Sequence, residues 1–127
     1  MKKKLILFDT ETNGTNPKDS VLSISAMKVE YDTETDQMVK LGEFDRFYFR
    51  NEGEEPNEGA LRVNGLYDDE IERRRNLSLE KYPRTFTEDV DNFYNFCDGA
   101  QHVIAHNIRF DRQFIPFILP YQFDTLL

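Results

Sequence analysis

The first apolar positions of the chain form a short uninterrupted run that predicts a buried strand. Residues 5–8, Leu-Ile-Leu-Phe, follow three lysines and are ended by Asp9. A continuous apolar run of this length, bounded by charge, is typical of a central strand. The Asn-Gly and Asn-Pro pairs at residues 13–14 and 16–17 then predict a turn.

Two further stretches alternate between apolar and other side chains. Residues 22–27 and residues 44–49 both show a period of two, which predicts strands. The polar residues 32–37 between them predict a hairpin connection, so the three strands are expected to form an antiparallel meander. The acidic residues 51–59 predict a loop that is solvated by its own charge.

Helical patterns dominate the second half of the chain. Residues 60–64 and 67–75 predict two short helices, and residues 85–88 have the spacing of a capping box before a third helix. Residues 103–105 then predict a short buried strand, followed by a helix from His106 and the start of another strand at Phe123. The order predicts an α/β fold with a mixed central sheet and flanking helices, in a single domain over residues 1–127.

Composition narrows the possible classes of protein. Hydrophobic residues make up 39% of the 127 positions, which is enough to build a core. The sequence contains no run of eighteen apolar residues, so it predicts no membrane-spanning helix. Cys97 is the single cysteine, so no internal disulfide can form, which favours a reducing cytoplasm as the location.

Charge is unevenly distributed along the chain. The net charge is −8, and residues 30–72 alone carry fourteen acidic and four basic side chains. A broadly acidic protein does not bind nucleic acid through general phosphate contacts, so a polyanion must be held locally, by metal ions or a few arginines. Seven basic residues could flank a substrate cleft: Arg73, Arg74, Arg75, Lys81, Arg84, Arg109 and Arg112. For the triple arginine at residues 73–75, a solvated helix face is the favoured interpretation.

Two carboxylates at the end of the first predicted strand are candidates for chemistry. Asp9 and Glu11 are two residues apart, so both project from one face of the strand. A divalent cation would satisfy both carboxylates together. An equally open interpretation is that they merely end the strand. A phosphatase of the haloacid dehalogenase type is less favoured, because Glu11 is one methylene too long for that motif.

Asp111 adds a third carboxylate in the first turns of a helix predicted to follow a buried strand. Alone, it is explained as an acidic residue favoured by the helix dipole. A strand-to-helix junction at the same sheet edge would instead aim it at Asp9 and Glu11. The order of the three features favours a metal site.

The motifs around these carboxylates resemble a known family. Residues 8–14 are similar to the first motif, and residues 105–111 to the second motif, of DnaQ-like (DNA polymerase III epsilon-like) DEDD 3′→5′ exonucleases of the DEDDh type. Residues 60–66 and 124–126 resemble two connectors of the same family. The resemblance implies a ribonuclease H-like fold.

The resemblance also implies a reaction. Asp9, Glu11 and Asp111 would bind two Mg²⁺ or Mn²⁺ ions and hydrolyse phosphodiester bonds at a single-stranded 3′ end of DNA or RNA. Nucleoside 5′-monophosphates would be released. Five residues would contact the substrate: Thr10, Thr12, His106, Asn107 and Phe110. Core packing for Phe110, and a helix cap for His106 and Asn107, are alternative roles.

The third family motif, with the fourth carboxylate and a His or Tyr, would lie beyond Leu127. His102 is no substitute, because it falls on the strand before the second motif. The chain is therefore expected to be the N-terminal part of such a domain. A competing hypothesis is a non-catalytic binding module that docks a DNA polymerase or another partner.

Overall fold

The computed structural model describes residues 1–16 and 18–105, and the backbone of residues 121–124. The elements in chain order are β1 (Lys2–Thr12), β2 (Val21–Asp32), β3 (Met38–Phe47), α1 (Glu58–Asn64), α2 (Asp68–Leu77), α3 (Phe86–Phe96), β4 (His102–Ala105) and β5 (Tyr121–Asp124). The strands form one sheet in the order β3-β2-β1-β4-β5. None of the helices described is long and apolar enough to cross a membrane.

The first strand occupies the centre of this sheet. β1 pairs antiparallel with β2 and parallel with β4, while β2 pairs antiparallel with β3. The predicted α/β class, mixed sheet and three-stranded meander are therefore confirmed.

The third strand differs from its predicted bounds. It begins at Met38 and not at Phe44, because β2 remains paired with it as far as Tyr31 opposite Met38. The hairpin is closed by a hydrogen bond from the Asp32 amide to the Gln37 carbonyl, and Asp36 adopts a left-handed φ of 63°. The early part of β3 lacks a strong apolar pattern because it lies at the sheet edge, where side chains are exposed.

The third helix begins where predicted but without the predicted capping box. Thr85 is its N-cap residue, yet its side chain makes no hydrogen bond to the helix backbone. The Thr85 hydroxyl donates instead to the Glu88 carboxylate at 2.8 Å. The two side chains satisfy each other, so the capping-box prediction was wrong in its partners.

The main core fills the space between one sheet face and α3. Phe8 and Phe44 pack with their rings edge-on to Phe93, which is fully buried. A second, separate cluster consists of Leu22, Leu61, Leu66 and Ile71. Side chains alternate between the two faces of a strand. Since α3 covers one face of the sheet, the residues of β1, β2 and β3 that alternate with the core positions lie on the opposite face.

A buried ion pair joins α3 to β3. Asp89 is fully buried and accepts hydrogen bonds from Arg46 at 2.7 and 3.0 Å. The Tyr48 hydroxyl donates to the same carboxylate at 2.6 Å. Burial, followed by the hydrogen bond to Asp89, raises the pKa of Tyr48 far above its ordinary value. The network keeps the Asp89 carboxylate satisfied in the core.

The remaining sequence predictions meet the structure only in part. β5 begins at Tyr121, two residues before its predicted start. The helix predicted from His106 and the last three residues of the chain lie outside the described residues.

Candidate functional site

Asp9 and Glu11 lie on the face of β1 that α3 does not cover. Both side chains are exposed, whereas Phe8, Thr10 and Thr12, on the alternate positions, are buried. The strand continues through Thr12, so the extended backbone itself places the two carboxylates on one face. The sequence-based prediction that they share a face is therefore consistent with the strand geometry.

Asp9 lines a recess on this face, which is called the open face because α3, among the described helices, packs on the other side of the sheet. The recess has a volume of about 490 Å³, and its lining combines acidic and apolar side chains, among them Leu7, Asp9, Met27, Asp45 and Ile104. No ion pair joins Asp9 to a basic side chain of the described residues. The carboxylate therefore faces the recess.

A second acidic residue, Asp45, lies in the same row as Asp9 across the sheet, and the sequence-based prediction did not include it. Asp9 pairs with Ser25, and Ser25 pairs with Asp45, so the three residues form one row on the open face. Two strand spacings separate β1 from β3, about 10 Å. Asp45 lines the same recess as Asp9. Counting residues back from the hairpin would have placed Phe44 opposite Ser25, because the register shift between Lys28 and Val29 is not visible in the sequence.

Glu11 faces a different recess at the end of β1. This recess has a volume of about 410 Å³ and is formed with α1, whose contributing residues include Ala60, Val63 and Asn64. Asn64 connects the two elements, because its side-chain amide donates to the Thr12 carbonyl at 2.9 Å. Val63 is 87% exposed, so this wall of the recess is apolar and accessible.

The two predicted threonines occupy different environments. Thr10 is buried on the face opposite to Asp9. Thr12 is also buried, and its hydroxyl donates to the Gly14 carbonyl at 2.6 Å while the residue lines the recess beside Glu11. The Thr12 hydroxyl is thus already used to hold the turn after β1.

Asn13 fixes the position of α1 relative to Glu11, a role that the sequence did not reveal. Its side-chain amide donates to the Glu54 carboxylate at 2.8 Å and to the Glu55 carbonyl at 2.9 Å. Its side-chain oxygen accepts from the Asn57 amide at 3.0 Å, and Asn57 is the N-cap of α1. Asn13 is only 2% exposed, so these bonds replace water completely.

Residues 51–57 form a largely exposed loop before α1, as predicted, but the Glu54 carboxylate is bound by specific donors and not by solvent alone. The Glu54 carboxylate also accepts from the Ser20 amide at 3.0 Å. Arg50 donates to the Glu54 carbonyl at 3.1 Å and pairs with Asp68. Specific donors anchor the segment, which sequence charge alone could not indicate.

The second predicted group of site residues follows β4. Ala105 pairs with Phe8 in the parallel register, so the described part of β4 ends beside the residue that precedes Asp9. Asp111, His106, Asn107 and Phe110 lie outside the described residues. Within the described part of the chain, no group of three His, Cys, Asp or Glu side chains could hold a metal ion.

His102 lies away from this edge, as expected from the sequence. It pairs with Leu5, three residues before the Phe8–Ala105 pair. Burial, together with the nearby Lys3 charge, lowers the pKa of His102. It is therefore placed on the same strand as Ala105 but at the opposite end from Asp9.

Comparison with known proteins bears on the fold. The chain has the fold of a nuclease structure, cell-death related nuclease 4 (CRN-4). The two match with a TM-score of 0.55 and 15% sequence identity. The match covers 88% of this chain and 39% of that one, so this chain spans well under half the length of that nuclease. No family model matches the sequence, and no curated protein matches it.

Proposed function

We propose that this chain carries the first metal-binding motif of a ribonuclease H-like 3′→5′ exonuclease. The observation that supports this most directly is the placement of Asp9 and Glu11. Both are exposed on one face of the central strand, beside the parallel strand that leads into the second motif. The likeness of the fold to a nuclease supports the same proposal.

The residues fit divalent cations in their chemistry. Carboxylate oxygens are the donors that Mg²⁺ and Mn²⁺ prefer, and a few carboxylates suffice because Mg²⁺ retains several waters. Asp9 and Glu11, joined by Asp111 from the second motif, would hold two ions. Two such ions, when bound, supply a hydroxide nucleophile near neutral pH and stabilise charge on the attacking and leaving oxygens.

The chain's own side chains would position the substrate. The recess beside Glu11, at about 410 Å³, falls within the range of roughly 300–1,000 Å³ that is usual for small-ligand sites. Its apolar wall at Val63 suits the terminal base, and Thr12 and Asn64 define its floor. Asn13 would keep this recess at a fixed distance from Glu11 through its bonds to the segment before α1.

Metal binding and end digestion test the proposal separately. Calorimetric titration of the chain with Mn²⁺ is expected to show binding that Asp9→Asn abolishes and Asp91→Asn preserves. Asp91 is an exposed acidic residue on α3, so its substitution makes the same charge change away from the site. Digestion is tested in a longer protein that joins this chain to a third motif: with Mn²⁺, that protein is expected to shorten a 5′-labelled single strand stepwise from its 3′ end.

Shortening by the Asp9→Asn variant of that longer protein at an undiminished rate would refute the assignment of the site. Absence of Mn²⁺ binding by the unchanged chain would favour a non-catalytic binding module instead. Parallel assays with a DNA and an RNA strand of one sequence would determine which nucleic acid is the substrate.

A further inference from the structure

The end of α2 and the segment after it are basic in an otherwise acidic chain. Residues 73–84 contain five basic side chains and one acidic one, although the whole chain has a net charge of −8. Four of these basic side chains are exposed, and together they are named the basic ridge: Arg73, Arg74, Lys81 and Arg84.

The fifth basic residue, Arg75, has a structural role, because its guanidinium is bound to backbone carbonyls. It donates to the carbonyls of Phe47 at 2.8 Å, Pro83 at 3.0 Å and Tyr82 at 2.8 Å. Its guanidinium also lies 4.4 Å from the centre of the Tyr82 ring. Arg75 thus pins the segment after α2 against the end of β3 and leaves the ridge to the other four residues.

The ridge is only partly neutralised by carboxylates. Arg73 and Arg74 share one acidic partner, Glu70. Lys81 and Arg84 have no carboxylate partner among the residues that the structure describes. The exposed positive charge of the ridge therefore exceeds the negative charge that contacts it.

Two arginines of the ridge lie over aromatic rings. The Arg84 guanidinium lies 4.3 Å from the Phe49 ring centre, and that of Arg74 lies 5.3 Å from the Phe47 ring centre. Stacking of this kind orders the guanidinium while its N–H edges stay available for a phosphate. Less side-chain entropy is then lost when an anion binds.

The ridge adjoins the open face of the sheet. A recess of about 260 Å³ is lined by Asp45, Phe47, Arg74, Leu77 and Tyr82, and Asp45 also lines the recess that contains Asp9. Leu77 and Leu79 are 69% and 101% exposed beside these cations. Positive charge mixed with accessible apolar surface suits a single strand, whose phosphates and bases are both exposed.

We propose that the basic ridge is a second contact for single-stranded nucleic acid, outside the carboxylate site. This proposal rests on the proposed function. It also explains how an acidic protein can hold a polyanion, because the phosphates upstream of the reacting end bind to the ridge. Asp45 lines both the recess next to the ridge and the recess that contains Asp9, so its negative charge separates two discrete contacts.

Binding without metal tests the ridge independently of catalysis. Fluorescence anisotropy would follow a labelled oligothymidylate in EDTA over a range of salt concentrations. For single strands the slope of log affinity against log salt is about −0.7 per phosphate contact, so Lys81→Ala with Arg84→Ala is expected to reduce it by about 1.4. The matched control is Lys2→Ala with Lys40→Ala, which removes two exposed cations elsewhere and is expected to leave the slope unchanged.

Equal slopes for the ridge variant and the control would overturn the proposal, whether or not the chain digests nucleic acid. A ridge-dependent slope in a chain that binds no Mn²⁺ would support the ridge and count only against the nuclease assignment. Polyglutamate that binds as tightly as the oligonucleotide, with the same dependence on Lys81 and Arg84, would indicate an acidic protein segment as the occupant and would also overturn it.

Discussion

The side-chain amide of Asn13 donates a hydrogen bond of 2.8 Å to the carboxylate of Glu54, forty-one residues later in the chain. This bond ties the end of the central strand to the segment that leads into α1. The side-chain amide of Asn13 provides both donors and an acceptor.

Asn13→Ala is expected to destabilise the protein by about 1–3 kcal/mol, because it removes a buried side chain that holds Glu55 and Asn57 by hydrogen bonds. Urea denaturation would measure the loss. Asn76→Ala, at an exposed position of α2, is the control and should change stability by less than about 0.5 kcal/mol. Equal stability of the two variants would mean that Asn13 does not anchor the segment.

Arg75 is expected to tolerate substitution far less than its neighbour Arg73. Arg75→Lys removes the planar fork that reaches three carbonyls, and a loss of about 2 kcal/mol is expected in the free energy of unfolding. Arg73→Lys changes an exposed side chain paired with Glu70, so little loss is expected. Thermal melts of the two variants would measure this difference, and identical melting temperatures would contradict the role given to Arg75.

Asp89→Ala is expected to cost about 3–5 kcal/mol, because it leaves the partly buried Arg46 without its main partner. Tyr48 would lose its acceptor in the same step. Asp91 lies two residues further along the same helix and is exposed. Asp91→Ala should therefore leave the free energy of unfolding close to that of the unchanged protein. Urea denaturation of both variants would test this. A small loss for Asp89→Ala would show that water replaces the carboxylate in the core.

Cys97 is expected to resist alkylation in the folded protein. It is 3% exposed, and burial raises the pKa of its thiol from 9.0 to about 12. Since the thiolate is the reactive form, iodoacetamide should label the native chain slowly and the urea-unfolded chain quickly at mildly alkaline pH. Equal rates would contradict the burial.

The raised pKa of the Cys97 thiol makes the stability of the fold depend on pH. The folded-state pKa of Cys97 lies above the unfolded one, so the protonated thiol contributes stability below pH 9.0. That contribution is lost as the pH rises towards about 12. Denaturation midpoints of the native chain and of Cys97→Ala should therefore converge across this range.

The hydrophobic pattern of the sequence predicted the strands of the meander. The apolar run at residues 5–8 and the alternation after residue 22 gave the meander, because a period of two directly reflects a strand with one buried face. The spacing of Asp9 and Glu11 predicted their common face for the same reason. These features require no knowledge of distant contacts.

Features that depend on long-range partners could not be predicted. Asn13 meets Glu54 and Asn57 only after α1 has folded against β1. Asp45 joins the row of Asp9 only through the hairpin register. Arg75 resembles its two arginine neighbours in sequence, and only the fold brings three carbonyls within its reach.

The break in register between Glu11 and Thr12 leaves Leu22 as an extra residue on β2. That residue enters the small cluster with Leu61, Leu66 and Ile71, whereas Val21 and Ile24 belong to the main core. The first two helices therefore pack on the sheet through a small cluster of their own, and segments with few buried apolar contacts open locally at the lowest free energy. Amide protons of α1 and α2 should exchange with solvent sooner than those of β1.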